Sequence, residues 1–462
     1  MQHNSALAFN PAPSSAVEEP NLPPKFSDES LALAFAESHA DRLRYVASWS
    51  RWHIWTGTHW RPDETLEAFD AARAVCRDAA ASCNERHRAQ LASAKTVAAI
   101  ERLAKSDRRL AATVDQWDAD PWLLNTPGGT IDLRTGNLRP HRQEDYITKC
   151  TAAAPDGECP RWVEFLDRVT AGNAELIAYL QRLVGYGLTG STQEHVLPFA
   201  HGPGGNGKGV FIGAVAGCMG DYHKTAPIET FAASNGDRHP TELAMLRGAR
   251  LVTAQETEEG RRWAESRIKS LTGGDRIAAR FMRADFFEFV PQFTLLIAGN
   301  HKPGLRSVDE AIRRRFHLIP FNVTIPATEQ DKSLGDKLKA EWPGILGWMI
   351  EGCLAWQRDG LNPPAIVLDA TASYLEAQDA LSAWLTECCE REPDAWVSRK
   401  DLFASWKAWA ERSGEFVLPR TRFLDALETR GIELHRQPGT GSRGFRGVRI
   451  ERPTYGDDPW NR

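Results

Sequence analysis

Eleven residues, HGPGGNGKGVF at 201–211, constrain this chain more than any other stretch. An apolar run, HVLPFA (195–200), leads into them, and VFIGAVAGCMG, apolar and long enough for a helix, follows the lysine. A strand that turns sharply into a helix with its backbone N–H groups converging needs glycine at the turn. Only glycine takes the required angles and leaves room for phosphate oxygens. Gly202, four residues, then Gly207 and Lys208 is that spacing. The helix N-terminus contributes partial positive charge, and the lysine reaches the β- and γ-phosphates. The loop therefore predicts an α/β fold with a parallel sheet and ATP at the carboxyl ends of its strands. Contacts are expected from Gly202, Gly204, Gly205, Asn206, Gly207, Lys208, Gly209 and Val210. One position breaks the pattern. Residue 209, where a hydroxyl usually ligates Mg²⁺, is glycine. The metal must then be held by water, the phosphates and a carboxylate, which its reluctance to dehydrate permits.

That carboxylate should end a strand near the loop. RLVTAQE (250–256) is such a strand, and Glu256 could polarise the attacking water or hold Mg²⁺ through water. Glu258 could share that work, or belong with Glu259 to a solvated turn. FTLLIAGN (293–300) ends in Asn300, whose amide could meet the γ-phosphate or position the water. HLIPF (317–321) is a further apolar run, preceded by Arg313, Arg314 and Arg315. Three arginines there are either a solvated helix end or an arginine finger that stabilises transition-state charge from a neighbouring subunit.

The flanks divide around this core. Residues 1–28 hold five prolines and little periodicity and read as a disordered tail. Residues 29–160 read as a mixed α/β domain. It has an aromatic hairpin around TGTH (Trp49, Trp52, Trp55, Trp60), read as a small core ahead of a base-stacking platform. Alanine-rich helices follow over 65–115, then short strands in PWLLNTPGGTIDLRTGNLRPH. Residues 161–365 form the ATPase domain, opened by leading helices at 161–194. Residues 366–462 read as three helices and a β-hairpin, a winged helix, with Arg443, Arg446 and Arg449 in or beside the wing. The eight cysteines form no C-x-x-C pair and read as reduced, mostly buried thiols ahead of a zinc site.

The loop GPGGNGKG, QETEEG, RIKSLTGGDRIAARF and FEFVPQFTLLIAGNHKPGLRSVDEAIRRRFHLIPF together resemble the superfamily 3 helicase domain of phage and plasmid primase-helicases, an AAA+ ATPase lineage. The resemblance spans roughly residues 30–450. It implies phosphate binding by Gly207 and Lys208, with Asn206 in the family's NGK form of the loop. It further implies Glu256 as second-motif acid, Asn300 as sensor, and Arg314 or Arg315 as the finger. A pre-sensor hairpin is implied within 272–289, with Arg283–Ala284–Asp285 at its tip and Arg280 on the ascending strand. Gln255 stands where relatives often carry a second acid. A hexameric ring, single-stranded and origin double-stranded DNA as partners, and a separate primase are further implications, since 28 residues are too few for a primase fold.

Charge points the same way. Net charge is −5, so a nucleic-acid surface must be local. Residues 261–283 carry seven Lys/Arg, among them Lys269, Arg280 and Arg283, against two acids. That suits backbone tracking of a single strand, or else a solvated basic face. No apolar run reaches membrane-spanning length and no signal segment opens the chain, so a cytoplasmic protein is expected, in a bacterial host as the resemblance implies. The leading expectation is an ATP-driven, ring-forming DNA helicase. A nucleotide-gated DNA-loading factor is the alternative favoured by Gly209 and Gln255, and a defence ATPase on the same core is a third.

Overall fold

A computed structural model describes residues 22–233, 241–256, 262–283, 285–305, 308–430, 432–436 and 443–451. Two compact units emerge: residues 1–119 with 142–148, and residues 120–141 with 149–462. In the first, α1 (Asp28–His39) is capped by the Ser27 hydroxyl, which accepts from the Ser30 N–H. Strands β1 (Leu43–Val46), β2 (Arg51–Trp55) and β3 (Trp60–Pro62) pair antiparallel. The alanine-rich stretch becomes α2 (Glu67–Ala81), α3 (Glu85–Leu91) and α4 (Ala94–Ala104). Helix α2 buries Ala68, Ala72, Cys76 and Ala80, small residues four apart on one face. Strand β4 (Ala111–Ala112) joins β1 in parallel. The TGTH hairpin closes with Trp55 opposite Trp60. Trp60 is fully buried and donates its indole N–H to the Gln143 carbonyl, so the aromatics of this hairpin chiefly build core.

The second unit opens with the meander β5 (Leu123–Thr126), β6 (Gly129–Asp132) and β7 (Asn137–Arg139). The strands were expected within a 29–160 domain; by their contacts residues 120–141 group with the larger unit. Buried Arg250 donates to the Leu123 carbonyl (2.8 Å), the Asn125 N–H to the Tyr222 hydroxyl (3.1 Å), and Gln357 to the Leu133 carbonyl (2.8 Å). These bonds tie residues 120–141 to the larger unit. Helices α5 (Pro160–Val169) and α6 (Ala174–Tyr186) follow as the leading pair. Helix α5 turns Trp162, Phe165, Leu166 and Val169 inward at helical spacing.

Next come β8 (Leu197–His201), α7 (Lys208–Met219), β9 (His223–Thr225), α8 (Thr241–Ala244), β10 (Leu251–Glu256) and α9 (Glu265–Gly273). The hairpin β11 (Ile277–Ala279) and β12 (Phe287–Phe289) precedes β13 (Thr294–Gly299), α10 (Glu310–Arg313) and β14 (Phe316–Pro320). Strands β14, β8, β13, β10 and β9, in that order, form one parallel sheet. All four apolar runs picked out of this segment are therefore strands, and β13 lies between the loop strand β8 and the acid strand β10. The register aligns Pro320, His201, Gly299 and Glu256 in one row at the carboxyl edge.

Helices α11 (Leu334–Lys339) and α12 (Trp342–Asp359) pack under the sheet, and α13 (Ala365–Ala377) leads out of it. The first of the three helices expected over 366–462 breaks at Asp379, whose carboxylate caps α14 (Ala380–Cys388). Then come β15 (Cys389–Glu390), β16 (Trp396–Ser398), α15 (Arg399–Arg412), α16 (Arg420–Thr429), β17 (Glu433–Arg436), β18 (Arg443–Arg446) and β19 (Arg449–Ile450). Strands β16, β18 and β17 form an antiparallel sheet over a core containing Trp384, Trp406 and Phe423. Of the 1–28 tail, residues 1–21 lie outside the described residues. No helix among those described is long and apolar enough to cross a membrane.

Candidate nucleotide site and its surroundings

The loop joins β8 to α7 as its spacing demands. Gly207 is left-handed (φ 85°) at the N-cap of α7, and a Cβ there would stand 2.6 Å from Val169 Cγ1. At Gly202 a Cβ would overlap the Phe321 carbonyl at 2.0 Å. Asn206 is buried and rigid: its amide donates to that same Phe321 carbonyl (2.7 Å), while its Oδ1 accepts from Lys208 Nζ (3.0 Å). The loop is thus pinned to the strand end beyond β14.

Lys208 is only 7 % exposed. Its ammonium donates to the carbonyls of Gly202 (2.7 Å) and Pro203 (3.2 Å), to Asn206 Oδ1, and to Asn300 Oδ1 (3.1 Å). All four acceptors are neutral. A buried cation held only by dipoles is under-compensated, and burial lowers its pKa accordingly. An anion beside it relieves that cost, and the N-terminus of α7 points at the same place. Asn300 follows β13 and meets the lysine from the neighbouring strand, so the two residues singled out from separate motifs come together.

Glu256 ends β10 level with Gly299, two strands from His201, so its backbone lies roughly 10 Å from the loop strand at ordinary strand spacing. Its side chain, and the whole of Glu258, fall outside the described residues. Gly209 lies in the first turn of α7 with nothing within 4 Å of a Cβ built on it, so the missing hydroxyl reflects no lack of space. Val210 is half-buried beside the core. The loop residues fit a polyphosphate. For Mg²⁺ the loop supplies no oxygen ligand at position 209, which leaves the carboxylate end of β10 as the protein's contribution.

The three arginines separate sharply. Arg313 is exposed and pairs with buried Asp379 (3.5 Å). Arg315 is buried, donating Nε to Thr272 Oγ1 (3.1 Å) and Nη1 to the Ala311 carbonyl (2.7 Å) within its own chain. Desolvation there lowers its pKa. Arg314 is exposed, and its guanidinium makes no hydrogen bond or ion pair among the described residues. Of the two finger candidates, only Arg314 is free to reach outward.

The hairpin of β11 and β12 matches the expected 272–289 region but is shorter, since Thr272 and Gly273 still belong to α9. Arg283 sits exposed at the tip with φ 59°, and Arg280 stacks over Phe286 at 4.8 Å; Ala284 lies outside the described residues. The sequence reading missed the apolar character of this tip. Met282 is 76 % and Phe286 62 % exposed, with Phe281 beside them. The basic stretch is less free than its charge suggests. Arg267 donates to the Thr230 carbonyl, and Lys269 pairs with Asp309 (2.5 Å), so Lys269 is occupied away from the tip. In the C-terminal sheet Arg443 is exposed, whereas Arg446 pairs with Asp394 (2.7 Å) and Arg449 with Glu390 and Glu392.

His201 carries no sequence signal of a role, yet it borders the loop. Burial and the nearby Lys302 and Lys208 hold its pKa down to about 4, so it adds no charge at neutral pH. All eight cysteines are free thiols, and burial raises Cys150 and Cys159 to about 11.

Comparison with known proteins adds family context. Residues 32–171 match the model described as "D5 N terminal like", and residues 200–315 match a family of unknown function, DUF5906. Two viral relatives, each carrying the name "Putative helicase", share 24 % identity. The one from Acanthamoeba polyphaga mimivirus aligns over 70 % of this chain and 36 % of its own length. The one from Frog virus 3 aligns over 52 % and 27 % respectively. The chain thus spans about a third or less of the curated relatives it matches. Among solved structures, the apo C-terminal region of NrS-1 aligns over 91 % of this chain and 99 % of that one, at 10 % identity and a TM-score of 0.48.

Proposed function

We propose that this chain, which belongs to the phage-type primase-helicase family, is an ATP-driven DNA helicase that works as a ring. The observation that carries the reading is the buried Lys208 ammonium, held only by neutral oxygens and joined to Asn300 at the mouth of a glycine loop. In this reading the loop N–H groups and the N-terminus of α7 bind the β- and γ-phosphates. Lys208 exchanges its loop carbonyls for phosphate oxygens. Asn300 is then released to orient the attacking water, and Glu256 polarises it. Mg²⁺ supplies charge neutralisation of the phosphates; Glu256, assisted by Glu258, is the residue to hold it through water. Arg314 is exposed and unpaired among the described residues, which suits a finger acting on the neighbouring subunit's ATP.

The hairpin supports single-stranded DNA as the track. Arg283 and Arg280 offer cations to phosphate, and exposed Phe281 and Phe286 offer rings on which bases stack. From α14 the C-terminal elements run helix, two short strands, two helices, a hairpin and a last short strand, an order that suits a winged helix in which exposed Arg443 meets duplex backbone at an origin. The cytoplasm of a phage- or plasmid-bearing bacterium is where such a machine would act.

ATP hydrolysis measured with and without single-stranded DNA tests the proposal. DNA should stimulate the rate, and Glu256→Gln should abolish it while ATP still binds. Absence of stimulation together with an unchanged Glu256→Gln rate refutes the helicase reading. Gly209 favours one second reading, a nucleotide-gated loading factor, for which ATP binding without turnover is the expected result.

A further inference from the structure

Helix α9 runs directly into the hairpin, and α10 runs directly into Arg314. Two contacts join these helices. Lys269 Nζ meets Asp309 Oδ2 at 2.5 Å, and the same carboxylate caps α10 through the Ile312 N–H (2.9 Å). One turn further along α9, the Thr272 hydroxyl donates to the Ile268 carbonyl (2.7 Å) and accepts from Arg315 Nε (3.1 Å). Lys269 and Thr272 are three apart and so share the face of α9 that looks at α10. Thr272 and Arg315 are both buried, and Arg315 also grips the Ala311 carbonyl inside α10. Arg314 lies between the two pins, next to the buried one.

We infer that Thr272 and Arg315 form a positioning link that ties the hairpin-bearing helix to the finger. DNA held at the hairpin then sets where Arg314 stands. The inference rests on the helicase reading above. Its physical content is that α9 and α10 move as one body. The Thr272 hydroxyl commits its one proton to the Ile268 carbonyl and so faces Arg315 as an acceptor, and Arg315 cannot leave it without losing the partner of a buried Nε–H. A tilt of the hairpin is therefore carried through α9 to the residue adjoining Arg314 instead of being absorbed between the helices. Arg315 is thus a positioning residue, not a second finger.

The test uses Thr272→Val, which keeps the shape and removes the acceptor, with Thr272→Ser as the rescue. Asp309→Asn tests the outer pin; asparagine keeps the helix cap and removes the charge facing Lys269. ATPase rates are measured with and without oligo(dT), alongside oligo(dT) binding by anisotropy. Thr272→Val should lower the ratio of stimulated to unstimulated rate at least fivefold while the oligo(dT) affinity stays within twofold. Thr272→Ser should restore the ratio, and Asp309→Asn should lower it about twofold. An unchanged ratio in Thr272→Val, or a proportional loss of both rates that serine does not restore, overturns the link. If Thr272→Val does not fold, an unchanged ratio in Asp309→Asn overturns it instead. A wild-type protein that DNA does not stimulate defeats the helicase reading itself, and this link with it, which distinguishes the two failures.

Discussion

Replacing Gly209 with serine should return to the loop the one ligand it lacks. A Cβ at this position has nothing within 4 Å, and the residue sits in the first turn of α7, where any residue type fits the backbone. The substitution carries no steric cost, and by helix propensity it gains about 0.5 kcal/mol. A hydroxyl contact to a charged group contributes about 1.5–3 kcal/mol, and every 1.4 kcal/mol is a factor of about ten. The Mg²⁺ concentration giving half-maximal ATP hydrolysis should therefore fall about tenfold in Gly209→Ser. Titrating Mg²⁺ at saturating ATP, with nucleotide binding measured in parallel, reads this out. An unchanged half-maximal concentration in a folded, ATP-binding variant would refute the view that the empty position 209 is what weakens metal ligation.

Two further outcomes follow from the packing around the loop and from one half-buried imidazole. Gly207→Ala forces a left-handed non-glycine residue into contact with Val169 and Phe165 and should cost about 1–3 kcal/mol, with loss of ATP binding by calorimetry. His317, half-buried against the Tyr179 hydroxyl, has its pKa lowered to about 4 by desolvation. Its unfolded value near 6.5 lies above the folded one, so its stability contribution is complete above pH 6.5 and is lost as pH falls toward 4. Thermal melts at pH 7 and pH 5 should show a smaller acid-induced drop for His317→Gln than for the wild type.

The loop and the sheet around it were legible because each is dictated locally. Gly-x₄-Gly-Lys leaves few other uses for its glycines, and strands buried on both faces become near-continuous apolar runs such as LVTA and TLLIAG. Strand β9 (His223–Thr225) escaped because HKT has no apolar run; neighbouring β10 holds it in place. The PGG and TG turns announce the strands of 120–141 without saying what those strands pack against. That is decided by Arg250 and Tyr222, a hundred residues away. Arg313, Arg314 and Arg315 are chemically identical in sequence, and only the fold separates the paired, the free and the buried one. Thr272 carried no signal, since one threonine in a basic stretch is unremarkable until its hydroxyl meets Arg315.

The central claim is an ATP site shared between subunits, with Lys208 and Asn300 on one side and Arg314 on the other. Mixing Lys208→Ala protein with Arg314→Ala protein tests it most directly. Each variant alone should be inactive. In an equal mixture that exchanges subunits, an interface is intact when one neighbour supplies Lys208 and the other Arg314, which random assembly makes in about a quarter of cases. Recovery of about a quarter of the wild-type ATPase rate is the predicted result; no recovery, or full activity in Arg314→Ala alone, would contradict the account.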